Sequence, residues 1–123
     1  MMAVEFQIAA ARFGDEHSPF LSARLVADRL GVTLAELSKL IGVARNTLTA
    51  KSGARKVDSA LSRVVRILAM ASEMAGDETR AVIWFKHQPI PGWAGKTAFD
   101  LVGEGKADKV LAYLESVRAG VYA

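Results

Sequence analysis

The sequence predicts an all-α fold in which a basic N-terminal lobe packs on a neutral, helical C-terminal lobe. Three observations carry this. Apolar residues recur at intervals of three and four in one segment after another, the signature of a helix with one buried face. Several of these segments open at a Ser, Thr or Asp that can cap a helix, and several stop at a glycine. The charge is uneven. Residues 1–21 hold one base and three acids, residues 22–57 seven bases and two acids, and residues 58–123 eight of each. The surplus of the whole chain, +3, therefore comes from its first half.

Residues 1–21 read as an N-terminal arm. Phe6, Ile8, Ala9 and Ala10 can pack on a neighbour, and Gly14, Asp15, Ser18 and Pro19 end any helix there. His17 lies among polar residues and reads as solvated. Residues 22–75 form the basic lobe with four helices. The first runs from about Ser22 to Leu30, with Leu25, Val26 and Leu30 facing inward and Gly31 as its stop. Thr33 caps the second, Glu36 completes a capping box, and Leu34, Leu37, Leu40 and Ile41 make its stripe. Gly42 turns the chain. The third starts near Ala44 or Arg45 and ends by Gly53. The fourth is long, from about Asp58 to Ala75, and buries Leu61, Val64, Val65, Leu68 and Met70.

The second and third helices have the pattern of a helix-turn-helix. Leu37, Ile41, Val43 and Leu48 occupy its buried positions, Ser38 its close crossing, and Gly42 its left-handed turn. Such a motif sets the third helix in the DNA major groove. Arg45, Asn46 and Thr49 are the residues placed to reach base edges; arginine suits guanine and asparagine suits adenine. Lys51, Arg55 and Lys56 follow in a loop and suit phosphates. The competing reading is a helical core with a solvated basic face. A short reading helix and a local surplus of +5 imply weak binding per subunit, hence a dimer or larger assembly.

Residues 76–123 form the C-terminal lobe. Asp77 caps a helix carrying Ala81, Val82, Ile83, Trp84 and Phe85, with the two aromatics in the core or a dimer interface. His87 sits favourably near its C-terminus, and Pro89 ends it. The loop from Pro89 to Gly95 is too short to link independent domains. Gly95-Lys96-Thr97 looks like the end of a phosphate loop, but the position of that motif's first glycine holds Ile90 and no strand precedes it. It reads as a turn followed by a cap at Thr97, with Asp100 reaching back. Phe99, Leu101 and Val102 follow, and Gly103 and Gly105 break the run. The last helix starts near Ala107 with Val110, Leu111, Tyr113, Leu114 and Val117 on one stripe. Gly120 then releases Val121, Tyr122 and Ala123, an adhesive tip with a free carboxylate.

Composition closes off other classes. Apolar residues are 51% of 123, enough for a core, and charged residues are 24%. With no cysteine there is neither a disulfide framework nor a thiolate metal site. The first eleven residues include Glu5 and lack a basic leader, which points to the cytoplasm. No run approaches the roughly 18 apolar residues of a membrane helix. No catalytic constellation, metal site or cofactor motif is present, so an enzyme is not expected.

The C-terminal pattern resembles the Xre/MbcA/ParS family of antitoxins. Trp84 and Phe85 before a proline-bearing loop, Gly95-Lys96-Thr97, Phe99-Asp100-Leu101, the break at Gly103 and Gly105, Val110-Leu111 with Leu114, and the end Gly120-Val121-Tyr122 carry the likeness. It extends over about residues 22–123. The resemblance implies an Xre-like helix-turn-helix lobe joined to a toxin-binding lobe. It implies a RES-domain toxin as partner, an enzyme that consumes NAD or transfers its ADP-ribose, and operator DNA as a second partner. It also implies a homodimer. Arg118, Gly120, Val121, Tyr122 and Ala123 are the expected toxin contacts, with the ring of Tyr122 and the terminal carboxylate suited to a dinucleotide cleft. The alternative class is a plain helix-turn-helix regulator without a toxin partner.

Overall fold

A computed structural model describes residues 20–120. Among them are seven α-helices and no strand, so the expected all-α class is observed. They are α1 (Ala23–Leu30), α2 (Leu34–Ile41), α3 (Arg45–Leu48), α4 (Ala54–Ala75), α5 (Glu78–His87), α6 (Ala98–Gly103) and α7 (Ala107–Arg118). A single 3₁₀ turn, Lys51–Gly53, separates α3 from α4.

The caps are where the residues put them. The Ser22 hydroxyl accepts from the Leu25 N–H at 3.3 Å and starts α1. Thr33 and Glu36 form a reciprocal capping box on α2, at 3.0 and 2.9 Å. Thr97 and Asp100 do the same for α6, at 3.1 and 3.0 Å. Asp77 accepts from the Arg80 N–H at 2.7 Å and starts α5. Each satisfies amides that the first turn leaves without an intrahelical acceptor. Gly42 closes α2 at φ +69°, a conformation that costs a residue with a Cβ about 1–2 kcal/mol.

Three expectations are corrected. Leu25 points outward, 36% exposed; the buried stripe of α1 is Ala23, Val26, Ala27 and Leu30. Those positions follow the three-four spacing, whereas Leu25 lies on the opposite face. The third helix stops at Leu48, well short of Gly53. Ala44 offers no capping oxygen, and threonines at 47 and 49 are poor helix formers. The fourth helix begins at Ala54, not near Asp58. Asp58 is not a cap: its Oδ1 accepts from the backbone N–H of Leu21, 2.7 Å away.

The buried residues form one cluster running from Leu21 to Leu114. Its axis is α4, which buries Val57, Leu61, Val64, Val65, Ile67, Leu68, Met70 and Ala71. Against α4 pack α1, α3, α5 and α7; α6 closes the cluster by packing on α2, α5 and α7. Phe85 is fully buried and meets Phe99 edge to face, centroids 6.1 Å apart. Trp84 is half-buried at the edge of the cluster and Ile83 is exposed. Two polar ties join α1 to α5. Lys86 Nζ donates to the Leu30 carbonyl at the end of α1, at 3.0 Å, and Arg29 pairs with Glu78 at 2.8 Å.

Candidate functional site

Two surfaces carry the residues singled out from the sequence. The first surrounds α3. Arg45 and Asn46 open this one-turn helix, held in place by buried Leu48 and Val43. Arg45, Asn46 and Thr49 are exposed and line a shallow depression of about 570 Å³. Arg24 from α1 and Leu34 from α2 complete it. The structure therefore brings together the three expected base-reading residues. It adds Arg24, which the sequence reading missed. Arg24 follows the cap of α1 by two residues, and nothing in its local spacing ties it to position 45.

The remaining expected residues lie elsewhere. Lys51 opens the 3₁₀ turn. Arg55 and Lys56 belong to the first turn of α4, not to a loop. They line a separate cleft of about 740 Å³ with Ile41, Gly42, Val43, Ser52, Ser59, Ala60, Ser62 and Arg63. Among the described residues its lining has three cations and no acid. On α4 these residues occupy the face opposite the buried stripe of Val57, Leu61, Val64 and Leu68. Arg63 was also missed, although it follows Arg55 by eight residues, close to two helical turns.

Gly53 joins the two surfaces. It is buried, and its φ of −94° is open to any residue, so it is not there to turn the chain. A Cβ at this position would stand 2.6 Å from Thr47 Cγ2 and 2.7 Å from the Thr47 carbonyl oxygen. The start of α4 thus sits directly on α3, and glycine permits that approach.

The second surface is C-terminal. The loop after α5 is pinned by an isolated antiparallel bridge between Pro89 and Thr97, with the Ile90 N–H on the Lys96 carbonyl at 2.8 Å. Ile90 itself is buried in the core. Lys96 does not serve a phosphate loop. Its Nζ lies 2.8 Å from Glu104 Oε2, and Lys106 Nζ lies 3.1 Å from Oε1 of the same carboxylate. These two hydrogen bonds, that from Lys96 the stronger influence, hold Glu104 below the ordinary glutamate value of 4.5. Lys106 also lies 5.5 Å from the ring centre of Trp93. The Lys106 N–H returns to the Leu101 carbonyl at 2.8 Å, closing α6 and aiming the chain into α7.

Along α7, Val110, Leu111 and Leu114 are buried. Two ion pairs fasten its outer side to α4: Arg63 with Asp108 at 3.4 Å, and Arg66 with Glu115 at 3.6 Å. Arg118 ends the helix and is exposed; Gly120 follows at φ +84°. Val121, Tyr122 and Ala123, the rest of the expected toxin contacts, lie outside the described residues, as does most of the expected arm 1–21. Among the described residues no group of three His, Asp or Glu side chains could hold a metal ion, and no helix is long and apolar enough to cross a membrane.

Residues 70–120 match the family model described as the antitoxin Xre/MbcA/ParS C-terminal toxin-binding domain. The matched stretch takes in the last turns of α4 and all of α5, α6 and α7. It supports the antitoxin family for this chain and a toxin as its partner. No curated protein and no solved structure matches the chain.

Proposed function

We propose that this protein is an antitoxin that neutralises a RES-domain toxin by direct binding and represses its own operon through DNA. The match of residues 70–120 to a toxin-binding domain carries this reading. The RES assignment rests on the likeness of the C-terminal pattern, from Trp84-Phe85 to Gly120-Val121-Tyr122, to antitoxins of that system. In this reading α7 docks beside the toxin's active-site cleft. Gly120 then lets the chain leave the helix, so that Val121, Tyr122 and Ala123 enter a pocket shaped for a dinucleotide. Arg118 holds the rim. Blocking the pocket inhibits the toxin without chemistry by this chain.

DNA binding is the second part. The α2–α3 unit acts as a helix-turn-helix, with Arg45, Asn46 and Thr49 toward base edges. The one-turn α3 limits each subunit to a few base contacts, so a homodimer reading two half-sites is required for useful affinity. Residues 22–75 serve DNA and residues 76–123 serve the toxin, on one shared core.

Co-expression with the toxin encoded beside it tests the first part. Removing residues 120–123 is expected to abolish rescue of growth while the shortened chain stays folded by circular dichroism. Undiminished rescue overturns the blocking tip. A gel shift with Arg45→Ala and Asn46→Ala on the operator, at two salt concentrations, tests the second. Equal binding by variants and wild type removes the base-reading role.

A further inference from the structure

The basic cleft beside α4 is distinct from the base-reading depression, and one of its cations is held by the opposite end of the chain. Arg55 and Lys56 stand in the first turn of α4, and Arg63 about two turns further on. Ser52, Ser59 and Ser62 line the cleft with them, and the described lining includes no carboxylate. A row of cations and hydroxyl donors along one helix face, with no carboxylate among the described lining residues, fits regularly spaced phosphates. A protein ligand of mixed charge would leave the row poorly matched. Among the described residues, the acid that pairs with this row comes from α7: Asp108 Oδ1 lies 3.4 Å from Arg63 Nε. Both side chains are largely exposed, at 73% and 62%. Such a pair is weak and exchangeable.

We propose that this cleft is a track for the phosphates of one DNA strand, and that Asp108 is a built-in competitor for Arg63, one of the cations lining it. The proposal rests on the DNA-binding reading above and adds its regulation. Asp108 lies within the stretch matched to a toxin-binding domain. A bound partner that draws Asp108 away would therefore release Arg63 to a phosphate and raise DNA affinity, with no movement of α3. Because one exposed pair carries the coupling, its size is a few-fold and shrinks with added salt.

The full-length chain and a fluorescent DNA duplex of arbitrary sequence, followed by anisotropy between about 50 and 200 mM salt, test this. Arg55→Ala with Lys56→Ala should lower affinity and reduce the slope of log K against log salt by about 1.8, the value for two lost phosphate contacts. Asp108→Asn should raise affinity about two- to fivefold at low salt. Glu115→Gln removes the same charge from the same helix but pairs with Arg66, outside the cleft; it should do less. The gain from Asp108→Asn should vanish in an Arg63→Ala background, since the cycle isolates that pair. If wild type binds DNA and the Arg55/Lys56 double variant keeps its slope, the track is wrong while the base-reading role stands. An Asp108→Asn gain that survives in Arg63→Ala rejects the competitor. Should wild type bind no duplex even at low salt, the DNA-binding reading itself fails.

Discussion

Gly53 shows how a single missing methyl group can position a surface. Sequence alone makes it the stop of a helix, but its backbone angles are ordinary and its neighbours are not. An added Cβ meets the carbonyl oxygen of Thr47, a backbone atom that cannot swing aside. Gly53→Ala must push α3 away from α4. We expect a loss of about 1–3 kcal/mol in stability, the usual cost of overpacking. Gly103 is the control: it ends α6, and a Cβ there meets nothing within 4 Å. Gly103→Ala should be neutral or stabilising by up to about 1 kcal/mol, because alanine is the better helix former. Urea denaturation of both variants decides it. Equal stability of Gly53→Ala and wild type would mean that α3 is not seated where it is described.

Between residues and fold stand the junctions of elements, and here legibility in the sequence varied with the range of the interactions involved. Caps were readable because donor and acceptor lie three residues apart: Thr33 with Glu36, Thr97 with Asp100, Asp77 with Arg80. The start of α4 was not, because Asp58 spends its carboxylate on Leu21, 37 residues away. Leu25 misled for a related reason. Alanines 23 and 27 complete the buried face of α1, and small apolar residues give little pattern signal. The expected DNA-contacting set was only partly brought together, since the break after α3 moves Arg55 and Lys56 into another cleft. The α6–α7 junction makes the next prediction. Lys96 comes from the loop and Lys106 from the entry to α7, and both bind Glu104. A carboxylate with a lowered pKa adds stability that is present above its unfolded value and is lost as pH falls through the folded one. The tie therefore holds at neutral pH and loosens only below about 4.5. Carbon-13 NMR should place the Glu104 midpoint below 4.5 in the wild type. In Lys96→Met with Lys106→Met it should return upward; an unmoved midpoint would show that these lysines do not govern it.

At the scale of the molecule the question is whether the two halves are separate units. The buried cluster passes from α1 and α2 through α4 into α5, α6 and α7 without a gap, and α6 rests on α2. A protein of this size has about 5–15 kcal/mol of stability in all, so neither half can lose its share of the core cheaply. Phe85 is the residue to cut. It is fully buried on α5 and leans on Phe99 of α6, and Phe→Ala in such a site costs about 3–5 kcal/mol. With one shared core that loss must lower the melting of the whole chain, including α1 and α2, which Phe85 does not belong to. Both tryptophans, Trp84 and Trp93, report on the C-terminal half, whereas amide exchange in α1 and α2 reports on the other. In Phe85→Ala the protection of α1 and α2 amides should fall by the same free energy as the tryptophan transition. If those amides kept wild-type protection while the fluorescence transition shifted, the basic half would be a unit able to stand alone. The proposed operator binding and toxin capture could then be tested apart by cutting the chain after α4; with a shared core, such a cut unfolds both halves.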